Sequence, residues 1–156
     1  LPITNEEGRK FVKDREWDYV EQGIALKSGA EELLKFLKTH GYKVILASSS
    51  TRNRAEITLT KDGVISYFDD MVFGLEVAHG KPAPDIFLKA CEKAGERPED
   101  CLVLEDSEAG IQAAHSAKIP VICVPDVKTP GEQFQKMAWK MLPSLHDVIN
   151  VLEHEK

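Results

Sequence analysis

The sequence predicts an α/β fold of three layers, a doubly wound and mainly parallel sheet with helices on both faces. Three observations carry that expectation. Short apolar runs at Tyr42-Lys-Val-Ile-Leu-Ala47, Cys101-Leu-Val-Leu104 and Val121-Ile-Cys-Val124 have the pattern of strands covered on both sides. Stretches with apolar residues at helical spacing separate them. Glycines and prolines punctuate the alternation, as βαβ units require.

Taken in order, residues 1–23 are polar and charged, with Phe11, Val12, Trp17 and Val20 at helix-like spacing. They read as one or two short helices. After a break at Lys27-Ser28-Gly29, Leu33, Leu34 and Leu37 mark an amphipathic helix from Ala30. Glu31 and Glu32 stand in its first turn, where the helix dipole favours acids, and Gly41 stops it. The first apolar strand follows and ends in Ser48-Ser49-Ser50, after which Thr51 to Leu59 can be helical. Val64 to Phe68 and Met71 to Phe73 are short and apolar around Asp69-Asp70. Gly80-Lys-Pro-Ala-Pro84 is a rigid turn, because proline fixes its own φ and restricts its predecessor. Asp85 opens a helix over Ile86 to Ala94, closed by Gly95. The strand Cys101 to Leu104 leads into Glu105-Asp106, with Ser107 as N-cap of a helix from Glu108 to Ala117. Val121 to Val124 is the next strand. A looser stretch precedes a last helix from Ser144 to about Glu153, with Leu145, Val148, Ile149 and Leu152 inward. No repeat or low-complexity segment interrupts the chain.

Composition narrows the function classes. The 156 residues amount to about one domain, and 42% hydrophobic residues supply a core. With 20 basic against 26 acidic side chains, the net charge is −6. That disfavours a non-specific nucleic-acid binder, which needs a basic face. No apolar run approaches the roughly 18 residues of a membrane span, so neither nucleic acid nor membrane is an expected partner. Cys91, Cys101 and Cys123 are far apart and form no Cys-x-x-Cys. They read as reduced, buried thiols of a cytoplasmic protein.

In doubly wound sheets, ligands bind beyond the carboxyl ends of the strands. Three polar clusters fall in that layer. Ser48-Ser49-Ser50 offers a hydroxyl and backbone N–H groups to an oxyanion, although serine is also an ordinary helix cap. Lys81, pinned between Gly80 and Pro82, can neutralise a phosphate as a point charge. Glu105-Asp106 places two carboxylates side by side. At ~5 Å and an effective dielectric near 20 they repel by roughly 3 kcal/mol unless a cation joins them. Mg²⁺ suits the place, since it takes one or two carboxylates and bridges to a substrate phosphate. The alternative is a helix cap; Gly110 favours the site, since a glycine lets the backbone approach a neighbour. A cation site, a lysine and an anion cradle around one crevice fit phosphoryl transfer, in which catalysis is mostly positioning and charge neutralisation.

Val44-Ile-Leu-Ala-Ser-Ser-Ser50, Gly80-Lys-Pro-Ala-Pro-Asp-Ile-Phe87 and Leu102-Val-Leu-Glu-Asp-Ser-Glu-Ala-Gly-Ile-Gln-Ala-Ala114 closely resemble the haloacid dehalogenase-like hydrolase superfamily. The likeness is to its beta-phosphoglucomutase-like and phosphatase branch and covers residues 24–125. The resemblance implies a Rossmann-like catalytic core over residues 24–156, with residues 1–23 as the C-terminal part of a helical cap. It implies Ser48 and the Ser49 amide as phosphate ligands, and Lys81 as the lysine that balances charge on nucleophile and phosphate. Asp106 becomes the main Mg²⁺ carboxylate, with Glu105 helping directly or through water. Arg52 and Asn53 are weaker candidates for the far end of the substrate. Ser28 stands where many relatives have proline.

The family's first motif is an apolar strand followed by Asp-x-Asp, whose first Asp is the phosphorylated nucleophile. No Asp-x-Asp occurs in this sequence, and Asp14, Asp18 and Asp69-Asp70 do not follow an apolar strand in the right order. The core is therefore expected to lack its first, central strand and to need a complementing N-terminal segment of the same protein. The chain alone is expected to be inactive. In the complete enzyme, a Mg²⁺-dependent phosphatase or phosphomutase would act on a small phosphorylated metabolite, a sugar phosphate above all, through an aspartyl-phosphate. The alternative is a non-catalytic phosphate-binding or regulatory protein without the nucleophile. A phospho-receiver domain fits less well, because its acidic pair comes early and its lysine late, the reverse of the order here.

Overall fold

The computed structural model describes residues 10–13, 29–125 and 128–154. Its strands are β1 (Lys10–Lys13), β2 (Lys43–Ser48), β3 (Asp70–Phe73), β4 (Cys101–Glu105), β5 (Val121–Cys123) and β6 (Lys140–Met141). All pair in parallel, in the order β3-β2-β1-β4-β5-β6. The helices are α1 (Ala30–Thr39), α2 (Arg52–Lys61), α3 (Asp85–Ala94), α4 (Glu108–Ser116), a short α5 (Glu132–Gln135) and α6 (Leu145–His154). The expected three-layer α/β fold is the observed one.

Strand alternation divides the core in two. On one face Val44, Leu46, Leu102 and Leu104 pack with Leu33, Leu34 and Leu37 of α1 and with Leu145, Val148 and Leu152 of α6. On the other, Ile45, Ala47 and Val103 meet Ile86, Phe87 and Ala90 of α3 and Ile111 and Ala114 of α4. Buried on both faces, β2 and β4 read as apolar runs rather than as alternating sequences. The helix stops behave as expected too. Gly41 and Gly95 adopt φ of +81° and +72°, left-handed values that cost glycine nothing.

A polar clasp registers β2 against the start of β3. Lys38 of α1 donates to both carboxylate oxygens of Asp69 at 2.7 Å, and the Val44 N–H donates to Asp69 Oδ2 at 2.7 Å. Partial burial alone would raise the Asp69 pKa; the Lys38 and Val44 hydrogen bonds outweigh it and hold the carboxyl below its ordinary value.

The structure corrects two expectations. The central position of the sheet is filled, not vacant: Lys10–Lys13 lies between β2 and β4, with Phe11 level with Val44 and Leu102. The facing edges of β2 and β4 carry backbone donors and acceptors that need a partner strand, and Lys-Phe-Val-Lys supplies one. These residues therefore form a strand rather than the helix that their spacing suggests. The rest of the cap expectation, and Ser28, lie outside the described residues. The looser stretch after β5 contains α5 and the edge strand β6, held where the Trp139 N–H donates to the Val121 carbonyl at 2.8 Å.

Candidate functional site

Leu46 and Leu104 both pair with Lys13, so they share one level across the sheet. Ser48 and Asp106 each come two residues later, at the carboxyl edge, with β1 between their strands. Two inter-strand spacings put them on the order of 9.5 Å apart.

Ser48 ends β2 and is buried, at 2% exposure. Its Oγ accepts from the Ser50 N–H at 3.1 Å, which leaves the hydroxyl proton to be donated. Ser49 is exposed and Ser50 buried, with the Ser50 hydroxyl donating to the Thr51 carbonyl at 3.1 Å. The N-cap of α2 is Thr51, whose Oγ1 accepts from the Arg54 N–H. Capping therefore falls to Thr51, and Ser48 is not used for it. A Cβ on Gly74, just after β3, would stand 3.3 Å from the Ser49 carbonyl, so this glycine lets the neighbouring chain close on the serine loop.

Arg52 opens α2. Its guanidinium lies 4.9 Å from the Phe73 ring centroid and 3.6 Å from carboxylate oxygens of Glu56 and Glu76. Glu76 also accepts from Lys93 Nζ at 3.0 Å and from the Phe73 N–H at 2.9 Å. Burial alone would raise the Glu76 pKa, but Lys93, the Phe73 N–H and Arg52 together hold it below its ordinary value. Glu76 thus tethers Arg52 to the end of β3, a role that no signal in the sequence marked. Asn53 is exposed beside it.

Lys81 and Glu105 meet across the edge. Lys81 Nζ is 3.4 Å from Glu105 Oε2, with side-chain exposures of 6% and 0%. The opposite carboxylate oxygen, Oε1, accepts from the Asp106 N–H at 3.0 Å, the Ser107 N–H at 3.2 Å and the Ser107 hydroxyl at 3.1 Å. Ser107 in turn accepts from the Gly110 N–H at 3.1 Å as the N-cap of α4. Burial pushes the Lys81 pKa down, and Glu105 and Asp106 oppose that shift. An ammonium stripped of water and only partly offset is one that a second anion stabilises.

The structure brings Ser48, Lys81, Glu105 and Asp106 to one edge and sets Arg52 and Asn53 at the start of α2 behind Ser48. The two neighbouring carboxylates both act on Lys81, but only that of Glu105 lies within β4. By alternation Glu105 shares the face of Cys101 and Val103, and Asp106 follows the end of the strand. The Glu105 carboxylate is committed to Lys81 and to the turn after β4. Among the described residues, no three His, Cys, Asp or Glu side chains gather as a metal-binding group. One carboxylate, that of Asp106, suits Mg²⁺, which takes one or two together with water and a substrate phosphate.

Comparison with known proteins shows the family of the chain. The family model of the haloacid dehalogenase-like hydrolases matches residues 4–118. The phosphorylated carbohydrates phosphatase of Thermotoga maritima is 36% identical over 126 residues, covering 80% of this chain and 58% of that protein. Beta-phosphoglucomutase of Bacillus subtilis is 39% identical over 121 residues, covering 73% and 52%. The crystal structure of CbbY from Rhodobacter sphaeroides in complex with phosphate superposes with a TM-score of 0.75 at 29% identity, covering 87% of this chain and 63% of that one. The chain therefore spans a little over half the length of these relatives. It belongs to the haloacid dehalogenase-like hydrolase family.

Proposed function

We propose that the chain carries the phosphate-handling part of a phosphoryl-transfer enzyme, a phosphatase or phosphomutase acting on a small phosphorylated metabolite of the sugar-phosphate class. The observation that carries this reading is the buried Lys81–Glu105 ion pair at the carboxyl edge of the sheet, on the same edge as Ser48 and Asp106. Phosphoryl transfer needs positioned positive charge and donors around the transferring group. In this reading the Ser48 hydroxyl and the Ser49 N–H hold phosphoryl oxygens, and Lys81 neutralises their charge. Arg52 and Asn53 face the far end of the substrate. Asp106 is the carboxylate that would hold Mg²⁺, which supplies further charge neutralisation when bound. Glu105 holds Lys81 in place, so its share in the metal is at most indirect.

The nucleophile in this reading is an Asp from a segment outside this chain. Its carboxylate attacks phosphorus, the bond to the substrate oxygen breaks, and water or a substrate hydroxyl then takes the phosphoryl group from the aspartyl-phosphate. The names of the relatives support both phosphatase and mutase. One observation favours a second reading, phosphate binding without catalysis: the sequence contains no Asp-x-Asp.

The test combines binding and turnover. Inorganic phosphate titrated into the chain with Mg²⁺ is expected to broaden in the ³¹P spectrum, and Lys81→Ala to abolish that broadening. The chain alone is expected to leave p-nitrophenyl phosphate intact and to hydrolyse it once a peptide with an apolar strand ending in Asp-x-Asp is added and displaces Lys10–Lys13 from its place between β2 and β4. Binding without hydrolysis under both conditions would select the second reading, and absence of binding would sink both.

A further inference from the structure

Away from the carboxyl edge, a second pair of reactive side chains lies between α3 and β4. Cys91 of α3 and Cys101 at the start of β4 are buried, at 2% and 1% exposure, with their sulfur atoms 3.3 Å apart. The Cys101 thiol also lies 3.3 Å from the Arg97 carbonyl oxygen. All three cysteines of the chain are thiols. A disulfide bond is about 2.05 Å long, so closing the pair requires the two sulfurs to approach by little more than 1 Å. Two thiols from different elements in mutual contact are unlike a buried cysteine that merely fills space. The Cys91 thiol donates to the Cys101 sulfur; this contact lowers the pKa of Cys91 against the effect of burial, and it raises that of Cys101. The Cys101 sulfur has two hydrogen-bond partners, Cys91 and the Arg97 carbonyl, whereas Cys91 has only Cys101 among the described residues, so Cys91 is the less tied of the two sulfurs.

We propose that Cys91 and Cys101 are a dithiol site that a small-molecule disulfide, such as glutathione disulfide, converts to an intramolecular disulfide. The Cys91 thiolate attacks one sulfur of the oxidant, whose S–S bond breaks and releases one glutathione thiolate. The Cys101 thiolate then attacks the Cys91 sulfur of the mixed disulfide and releases the second. Two protein thiols lose two electrons and two protons, and one oxidant molecule becomes two glutathiones. Both thiols are buried, so the reaction requires local opening of the connection between them, where Gly95, Arg97 and Glu99 are exposed. The bond would join α3, which begins just after Lys81, to β4, which ends at Glu105, with a sequence separation of ten residues.

The test treats the whole folded chain with glutathione disulfide, without denaturant, and follows it by intact mass and by non-reducing peptide mapping. The expected result is loss of the mass of two hydrogens, a peptide linking Cys91 to Cys101, and reversal by dithiothreitol. The bridge should persist in Cys123→Ala and be replaced by a stable glutathione adduct at Cys91 in Cys101→Ser. A bridge involving Cys123, adducts without a bridge in the unaltered chain, or a bridge that forms only after denaturant would each overturn the proposal. The unaltered chain and Cys123→Ala decide the matter even where Cys101→Ser does not fold.

Discussion

Gly110 and Glu105 compete for one volume: a Cβ on Gly110 would fall on the Glu105 carboxyl group. The glycine sits in the first turn of α4, where alanine would ordinarily stabilise the helix by about 1 kcal/mol. Here the added methyl must displace a buried carboxylate and the contacts it makes, an overpacking cost of about 1–3 kcal/mol. The second effect wins. Gly110→Ala is expected to lower stability in urea denaturation and to weaken phosphate binding, because Glu105 can no longer stand against Lys81. A stabilised variant with unchanged phosphate affinity would contradict that placement.

The ion pair itself is open to a double-mutant cycle. Removing one partner of a buried pair costs about 3–5 kcal/mol where the other charge is stranded. Glu105→Gln leaves Lys81 buried without the Glu105 counter-charge, and Lys81→Met leaves Glu105 with its neutral donors. Each single change is expected to destabilise the chain, and the double change to cost less than the sum by about 1 kcal/mol or more. Additivity would show that the two groups do not interact.

Asp69 and Glu76 predict the response to acid. Their ordinary pKa values are 3.8 and 4.5, and both are lowered in the folded chain. As pH falls, the unfolded chain therefore binds these protons first, so the stability from both groups is complete above about pH 4.5–5 and drains away below it. Asp69→Asn is expected to reduce stability at neutral pH and to flatten its dependence on pH below 4. Equilibrium urea unfolding across that range measures both effects. An unaltered slope would remove Asp69 from the account.

Asp106 predicts the metal response. If it carries Mg²⁺ beside a bound phosphate, added Mg²⁺ should tighten phosphate binding by the intact chain and do nothing for Asp106→Asn. Titration calorimetry of phosphate with and without Mg²⁺ makes the comparison. A metal effect that survives the substitution would move the site elsewhere.

Backbone pairing predicts the weight of β1. Residue 12 lies midway along a strand paired on both sides, and proline there removes an N–H donor and clashes with the ladder. Val12→Pro is expected to leave β2 and β4 with unpaired facing edges and to drive aggregation, which light scattering after refolding would detect. A soluble variant with native circular dichroism would mean that the sheet does not depend on Lys10–Lys13.

Which parts of this arrangement could be read from the sequence follows from burial. The runs Val44–Ala47 and Leu102–Leu104 face helices on both sides, so their composition announces them. Lys10–Lys13 has only Phe11 and Val12 between two lysines, and helix-like spacing further along obscured it. Lys140–Met141 is two residues long, and its place is set by the backbone hydrogen bonds of Trp139 and Leu142 to β5, which no local pattern encodes. Ser48, Lys81 and Asp106 stand out as candidates because small or charged residues beside apolar strands and prolines are conspicuous. The direction of Glu105 was not legible. Adjacent acids suggest a shared metal ion, yet the Glu105 carboxylate is taken up by the Lys81 ammonium and by the turn after β4. Gly110 was the visible trace of that choice, although the group making the close approach is a side chain rather than a ligand.

The Lys81–Glu105 pair sets a limit on redesign. Well-packed apolar residues of matching volume often replace a buried ion pair with no loss of stability, or with a gain. At this seam such a swap would also erase the fixed cation of the carboxyl edge. A selection for thermal robustness alone would therefore drift toward a sturdier chain without the cation on which the proposed phosphate site depends, and libraries built on this scaffold must screen for both properties together.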